Sequence, residues 1–348
     1  MRVKERLVYS LKHYFFNIIL IWGAILIYRF SPYYSSFLSS ETQKTLLYLG
    51  LLYTVIGFFM YIILPLDKIP QSKGHIIYSS TKRVIKDSIF YLKNYSKIPD
   101  LKKPKFEKHE KTSFLFLLVK IFFLPLMLNF FYGNYFSVKG QLPKLMSLGV
   151  GGLFTMSNFN FLLYPFLISL IFLVDTLYFC FGYSFEAGFL KNKVRSVEPT
   201  IFGWVVAIAS YPPFNGLVSN YVSWYANDYA LFSSNMITFI ARILVIILLS
   251  IYLSATLALG TRCSNLTNRG IVCKGPYKYV RHPAYIGKNM AWWITLIPVF
   301  GVLSILSMLT WSLIYYFRAI TEERHLIQDP DYQEYCKKVK YRFIPGVY

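Results

Sequence analysis

Long apolar runs separated by polar stretches of uneven length dominate the chain. They cover Tyr14 to Tyr28, Thr45 to Leu66, Ser113 to Tyr132, Phe161 to Phe181, Ile201 to about Val222, Met236 to Leu259, Ala284 to Phe300 and Val302 to Phe317. Each is near the ~20 residues with which a helix crosses a hydrocarbon layer. A helix also closes its own backbone hydrogen bonds, which lipid demands. The pattern predicts an all-α fold: a polytopic transmembrane bundle of about eight spans with a C-terminal helical hairpin and a cytoplasmic C-terminal tail. The hairpin is expected because only Gly301 separates the last two runs. The fifth run carries Pro212 and Pro213, which kink or break a helix or mark a re-entrant piece. The first run follows "MRVKER" with no small-residue cleavage site, the pattern of a retained signal anchor.

Composition agrees with a bilayer. Hydrophobic residues make up 55% of 348 positions and charged ones 15%, too apolar for a soluble globule of this size. The formal net charge of +21 would suggest nucleic acid in a soluble protein, but its distribution gives another reason. With both termini cytoplasmic, the segments 1–13, 67–112, 182–200, 260–283 and 318–348 hold 30 of the 37 Lys and Arg, and the opposite loops hold four. That asymmetry is the positive-inside rule, and it accounts for the basic balance without nucleic acid. It also suits attraction to anionic headgroups. The four cysteines form no C-x-x-C pair and support neither a zinc site nor a disulfide framework.

The chain divides into an N-terminal transmembrane region, residues 1–230, and a core at 235–348. The one long polar insert is 67–112, where "SSTKRVIKDSIFYLKNY" spaces Val84, Ile85, Ile89 and Leu92 as an interfacial amphipathic helix would; a solvated linker is the other reading. Lys120, Asp175 and Arg242 fall inside spans, where pairing that locks helices together, or snorkelling, explains them.

The segment "GPYKYVRHPAYIG", 275–287, stands out against this background. The loop from Gly260 to Pro283 has five basic residues and no acidic one, and Pro283 suits the first turn of a helix whose N–H groups face that loop. Beyond the hairpin comes "FRAITEERHL", with Arg318 and Glu322 on one helical face and Glu323 beside them. A one-residue turn makes the two hairpin helices antiparallel, so Arg281, His282 and Tyr285 should meet Arg318 and Glu322 at one surface. Only His282 and His325 could join Glu322 and Glu323 on a metal, too few imidazoles for a di-iron centre, so no metal is expected.

Together, "GPYKYVRHPAYIG", an apolar hairpin, "R-x-x-x-E-E" and "DYQEYCKKVKYRFIP" closely resemble the integral-membrane methyltransferases typified by isoprenylcysteine carboxyl methyltransferase and the phospholipid N-methyltransferases, over roughly residues 235–348. The resemblance implies an S-adenosylmethionine-dependent methyltransferase with a cytoplasm-facing cofactor pocket. Its lipid or lipidated acceptor, carrying a carboxylate, amine or thiol, would enter from the membrane. By matching position it implies cofactor contacts at Gly270, Ile271, Val272, Tyr277, His282, Pro283, Ala284 and Tyr285, with Arg281 and Glu323 in the same cluster, and a catalytic, substrate-side pair in Arg318 and Glu322. Aromatic faces such as Tyr277 and Tyr285 suit adenine or a sulfonium. The sequence departs from the family at Lys340, where proline is usual, and at Lys288 and Asn289, where apolar residues are common. The alternative is an NADPH-dependent reductase of the sterol C14-reductase type, which shares "RHP-x-Y-x-G" and an ending like "YRFIPGVY" but lacks the "GPYKYV" lead-in and the paired glutamates.

Overall fold

Helix accounts for 76% of the described residues. The structure, a computed structural model, describes residues 3–63, 72–98 and 101–347; residues 64–66 of the second expected span and 67–71 and 99–100 of the basic insert lie outside them. Among the described residues strand is confined to Ser196–Val197 and Thr267–Asn268. The principal helices are α1 (Val3–Phe30), α2 (Ser40–Ile63), α3 (Lys73–Asn94), α4 (Lys108–Ser147), α5 (Met156–Ser184), α6 (Ile201–Ile208), α7 (Phe214–Ser219), α8 (Asn235–Leu259), α9 (Pro283–Leu296), α10 (Val302–Leu326) and α11 (Pro330–Lys338).

Six of these, α1, α2, α4, α5, α8 and α10, are long and apolar enough to cross a membrane, so the protein is a multi-pass integral membrane protein. Among the described residues the expectation of about eight spans is corrected to about six continuous spanning helices, for two physical reasons. The fifth run stops at Ile208 and resumes only at Phe214, because Pro212 and Pro213 carry no N–H for a continuing ladder. The seventh forms the 14-residue α9 and then a tighter 3-10 turn, Ile297–Val299, around Pro298. At 1.5 Å per residue α9 is about 21 Å long, short of the ~30 Å hydrocarbon thickness.

The interrupted fifth run still traverses the depth of α10. Arg324, near one end of α10, donates to the Glu198 carboxylate at 2.9 Å; at the other end the Trp311 indole donates to the Val222 carbonyl at 3.2 Å and the Ser307 hydroxyl to that of Ser223. Partners advance along one strand of chain as they recede along the other. The segment 198–223 therefore runs antiparallel to α10 over nearly its whole length.

The chain forms two compact units, one of residues 1–129 with 186–197, the other of 130–185 with 198–348; the division falls within the 40-residue α4. In the first, α1 and α2 pair through polar contacts at membrane depth: Tyr14 donates to the Thr54 carbonyl at 2.5 Å, Asn17 to the Tyr61 hydroxyl at 2.7 Å and Trp22 to the Thr54 hydroxyl at 3.1 Å. The insert holds the amphipathic helix α3, begun by Ser72, whose hydroxyl accepts from the His75 N–H. Its Tyr78 ring stacks on Phe16 of α1 at 4.1 Å, while Ile85, Ile89, Phe90 and Leu92 are exposed.

In the second unit, α8 is central. Tyr164, Ile168 and Ile171 of α5 pack against Val245 and Leu249, with Ala291 of α9 completing the cluster. Gly287 lets α9 approach closely: a Cβ there would lie 2.7 Å from the Leu248 carbonyl oxygen. A second cluster joins Leu296, Met308, Trp311 and Ala226, with Trp224 edge-on to both Trp292 and Trp311. Two of the charges inside spans, Asp175 and Arg242, tie segments together. Asp175 accepts from the Tyr252 and Thr256 hydroxyls at 2.7 and 2.6 Å, joining α5 to α8. Arg242 donates to the carbonyls of Asn160, Tyr229 and Ala230. Lys120 lies over the Phe116 ring, 5.5 Å from its centroid.

Candidate active site

Pro283 begins α9, as its fixed φ favours, and places His282 just outside the helix. Ser304 begins α10 by accepting from the Gly301 N–H at 2.9 Å, and the hairpin closes. Because α9 and α10 then run side by side in opposite directions, residues 281–285 and 318–323 arrive at the same end. The contacts are direct: His282 Nε2 lies 3.1 Å from Glu323 Oε1, and the Tyr285 hydroxyl donates to Glu322 Oε2 at 2.8 Å.

Two arrangements grow from this junction. The first is a charged knot around Glu323, which is 8% exposed. Its carboxylate accepts from Arg281 Nη1 at 3.0 Å and Arg342 Nε at 2.9 Å in addition to facing His282. Backbone bonds reinforce it, since the Arg281 and His282 N–H groups donate to the Tyr341 and Arg342 carbonyls, both at 2.9 Å. The polar groups of Arg281, His282 and Glu323 are thus turned mainly on one another and on the tail, whose "YRFIP" segment they pin to the start of α9.

The second is an aromatic and acidic recess. Tyr285 stacks on His282 with ring planes 6° apart, and meets Tyr315 edge-on at 5.6 Å. Arg318, buried, lies 5.2 Å from the Tyr285 and Tyr315 ring centroids and 5.7 Å from that of Tyr211, and donates to Asn265 Oδ1 at 3.1 Å. A small cavity of about 50 Å³ opens between Arg318, Glu322, Tyr285, Asn265, Glu198 and Gly203. Glu322 itself is exposed, so this end of the recess is open to solvent.

The remaining candidates sit on the other side of the loop. Gly270 adopts φ +90°, a left-handed conformation that glycine takes without a side-chain clash, and its N–H donates to Asn268 at 2.8 Å. Ile271 and Tyr277 pack with Tyr332 and Tyr335 of α11 and with Val339 just beyond it, and the Tyr335 hydroxyl donates to the Tyr277 carbonyl at 2.8 Å. Burial, followed by the nearby Glu322 charge, holds the Tyr277 phenol well above its ordinary pKa, so it stays neutral. Val272 and Ala284 are half-buried and Pro283 is buried. The structure therefore gathers Arg281, His282, Tyr285, Arg318, Glu322 and Glu323, while Gly270, Ile271 and Tyr277 form the neighbouring wall against α11.

Sequence reasoning missed Glu198, Tyr211, Asn265, Tyr315 and Arg342. Arg342 lies inside the quoted tail motif and could have been found there. Glu198, Tyr211 and Asn265 come from connecting segments whose approach to α10 only tertiary packing sets. Among the described residues no group of three or more His, Cys, Asp or Glu could hold a metal ion.

A family model described as a protein of unknown function, DUF1295, matches residues 217–339, which include α8 to α11. No curated protein and no solved structure gives a significant match.

Proposed function

We propose that the second unit is a membrane enzyme that moves a methyl group from S-adenosylmethionine to a lipophilic acceptor, with Glu322 as the residue that takes the acceptor's proton. The observation that carries this reading is the Tyr285–Glu322 hydrogen bond beside buried Arg318. It sets an exposed carboxylate, aromatic faces and a guanidinium around one recess at the end of a spanning hairpin.

The donor set suits that cofactor chemically. The Tyr285 and Tyr315 faces fit a sulfonium, and Arg318 fits a carboxylate. Free space is the limit, since about 50 Å³ holds only a water or two, so cofactor binding requires the recess to widen. When bound, the cofactor supplies a methyl carbon already activated by positive sulfur. The protein's part is alignment and water exclusion. Tyr285, held between His282 and Tyr315, is the fixed wall against which a ligand is aligned. Glu322 accepts a proton from an attacking amine, thiol or hydroxyl; an acceptor carboxylate would need no base and would be held by Arg318 instead. Both termini are assigned to the cytoplasm from the positive-inside asymmetry.

A second reading, NADPH-dependent reduction, is favoured by the family match, because that family is associated with steroid 5-alpha-reductase-like membrane proteins. Titration of the purified full-length protein separates the two. The methyltransferase reading expects saturable binding of S-adenosylhomocysteine, and transfer of labelled methyl into an extractable lipid that drops at least about a hundredfold in Glu322→Gln. Binding of NADPH with no binding of S-adenosylhomocysteine overturns it.

A further inference from the structure

The first unit holds a cavity that the proposed chemistry does not use, and we infer that it binds the phosphate of an anionic lipid headgroup. It measures about 700 Å³ and lies between the first turns of α1, the start of α3 and the start of α4. That volume suits an organic ligand rather than a bare ion. Lys4, Val8 and Lys12 recur at four-residue spacing, with Glu5, Tyr9 and His13 beside them, so one stripe of α1 supplies a wall both basic and apolar. α3 adds His75, and α4 adds His109 and Glu110.

The charges favour an anion. Glu110 is already engaged, accepting from Arg83 at 2.6 Å and from the Glu107 N–H at 2.8 Å. Against Glu5 and this neutralised Glu110 stand Lys4 and Lys12, with three imidazoles as hydrogen-bonding groups, of which His109 already lies beside Glu107. His13 is 3% exposed; its Nδ1 lies 2.9 Å from the Ser72 hydroxyl, and its ring is 4.5 Å from that of His75. The Nδ1 of His75, a residue that lines the cavity, is buried without a hydrogen-bond partner. A turn of the ring would bring that nitrogen to a phosphate oxygen. Burial and then the charge of Lys12 hold the His75 imidazole below its ordinary pKa, and a bound anion would reverse that by favouring the protonated ring. The apolar Val8, Tyr9 and Ile76 beside these donors, at the polar end of a spanning helix, fit the glycerol and upper chain of a lipid.

The test is thermal melting of the full-length protein in neutral detergent, titrated with dioctanoyl phosphatidylglycerol, dioctanoyl phosphatidylcholine or inorganic phosphate. Phosphatidylglycerol should stabilise saturably and phosphatidylcholine should not. Lys12→Gln and His75→Gln should each weaken the apparent affinity about fivefold, while Lys139→Gln, outside the cavity, leaves it unchanged. Phosphatidylglycerol keeps a fixed charge between about pH 6 and 8, so tighter binding toward pH 6, lost in large part in His75→Gln, reports imidazole protonation. Equal response to inorganic phosphate would overturn the lipid source and leave free phosphate as the ligand. Equal response to phosphatidylcholine, or full affinity in both variants, would overturn the site.

Discussion

Replacing Glu323 by glutamine removes one negative charge and keeps the side chain's shape. In the native protein that carboxylate meets Arg281 at 3.0 Å, His282 at 3.1 Å and Arg342 at 2.9 Å, with Glu323 and His282 both under a tenth exposed. Glutamine's carbonyl oxygen can still accept from one guanidinium. Its amide, however, points two donors at partners that are themselves donors. Breaking a buried pair by removing one partner costs ~3–5 kcal/mol; the surviving acceptor and the partial exposure of Arg342 place this change at about 3 kcal/mol. The loss should be local, because the knot fastens the tail to α9 while the clusters around Val245 and Trp311 do not involve it. Three kcal/mol is roughly a hundredfold in an opening equilibrium. Hydrogen exchange of the purified variant should therefore show residues 330–347 exchanging about a hundredfold faster, with α8 little changed. Limited trypsin digestion should cut at Lys337, Lys338 or Lys340 in the variant first. Tail protection within threefold of wild type would refute the claim that this ion cluster holds the C-terminal segment.

Gly287→Ala should force α9 away from α8, because the new methyl would meet the Leu248 carbonyl oxygen at 2.7 Å and the Tyr252 nitrogen at 3.2 Å; a loss of ~1–3 kcal/mol read as a lower melting temperature is expected, and an unchanged melt would contradict the close packing. Arg242→Met strands the carbonyls of Asn160, Tyr229 and Ala230 in a buried setting, so thermal melting should report a destabilisation of ~2–4 kcal/mol, and a neutral outcome would show that these carbonyls find other donors. In the first unit, burial pushes the Glu186 carboxyl up, but the Lys73 charge and hydrogen bond, with the Val194 N–H, outweigh it and hold the group below the ordinary carboxylate value. A lowered folded-state pKa contributes stability above the unfolded value of about 4.3 that disappears as pH falls below it. Stability measured from about pH 7 down to about 3 should lose part of this contribution in wild type, and a slope unchanged in Glu186→Gln would count against the pair.

What the sequence determined by itself rests on the solvent. Lipid leaves a chain only internally bonded structures, so uninterrupted apolar runs were enough to specify helices, and the single residue between Phe300 and Val302 was enough to specify a hairpin that carries His282 to Glu323. The span count was not determined, because hydropathy reads composition and not continuity: Pro212 and Pro213 leave the fifth run apolar while removing the helix, and Pro298 ends α9 early. Nor could periodicity supply Glu198, Tyr211 or Asn265, which come from segments with no repeating pattern: the interrupted fifth run, antiparallel to α10, brings Glu198 to Arg324 and Tyr211 to Arg318, and the loop after α8 brings Asn265 to Arg318. Tertiary structure also decided the partners within the glutamate pair. Successive positions on a helix point about 100° apart, so Glu323 is turned inward to the tail arginines and Glu322 outward to Tyr285, a division of labour that two adjacent identical letters do not reveal.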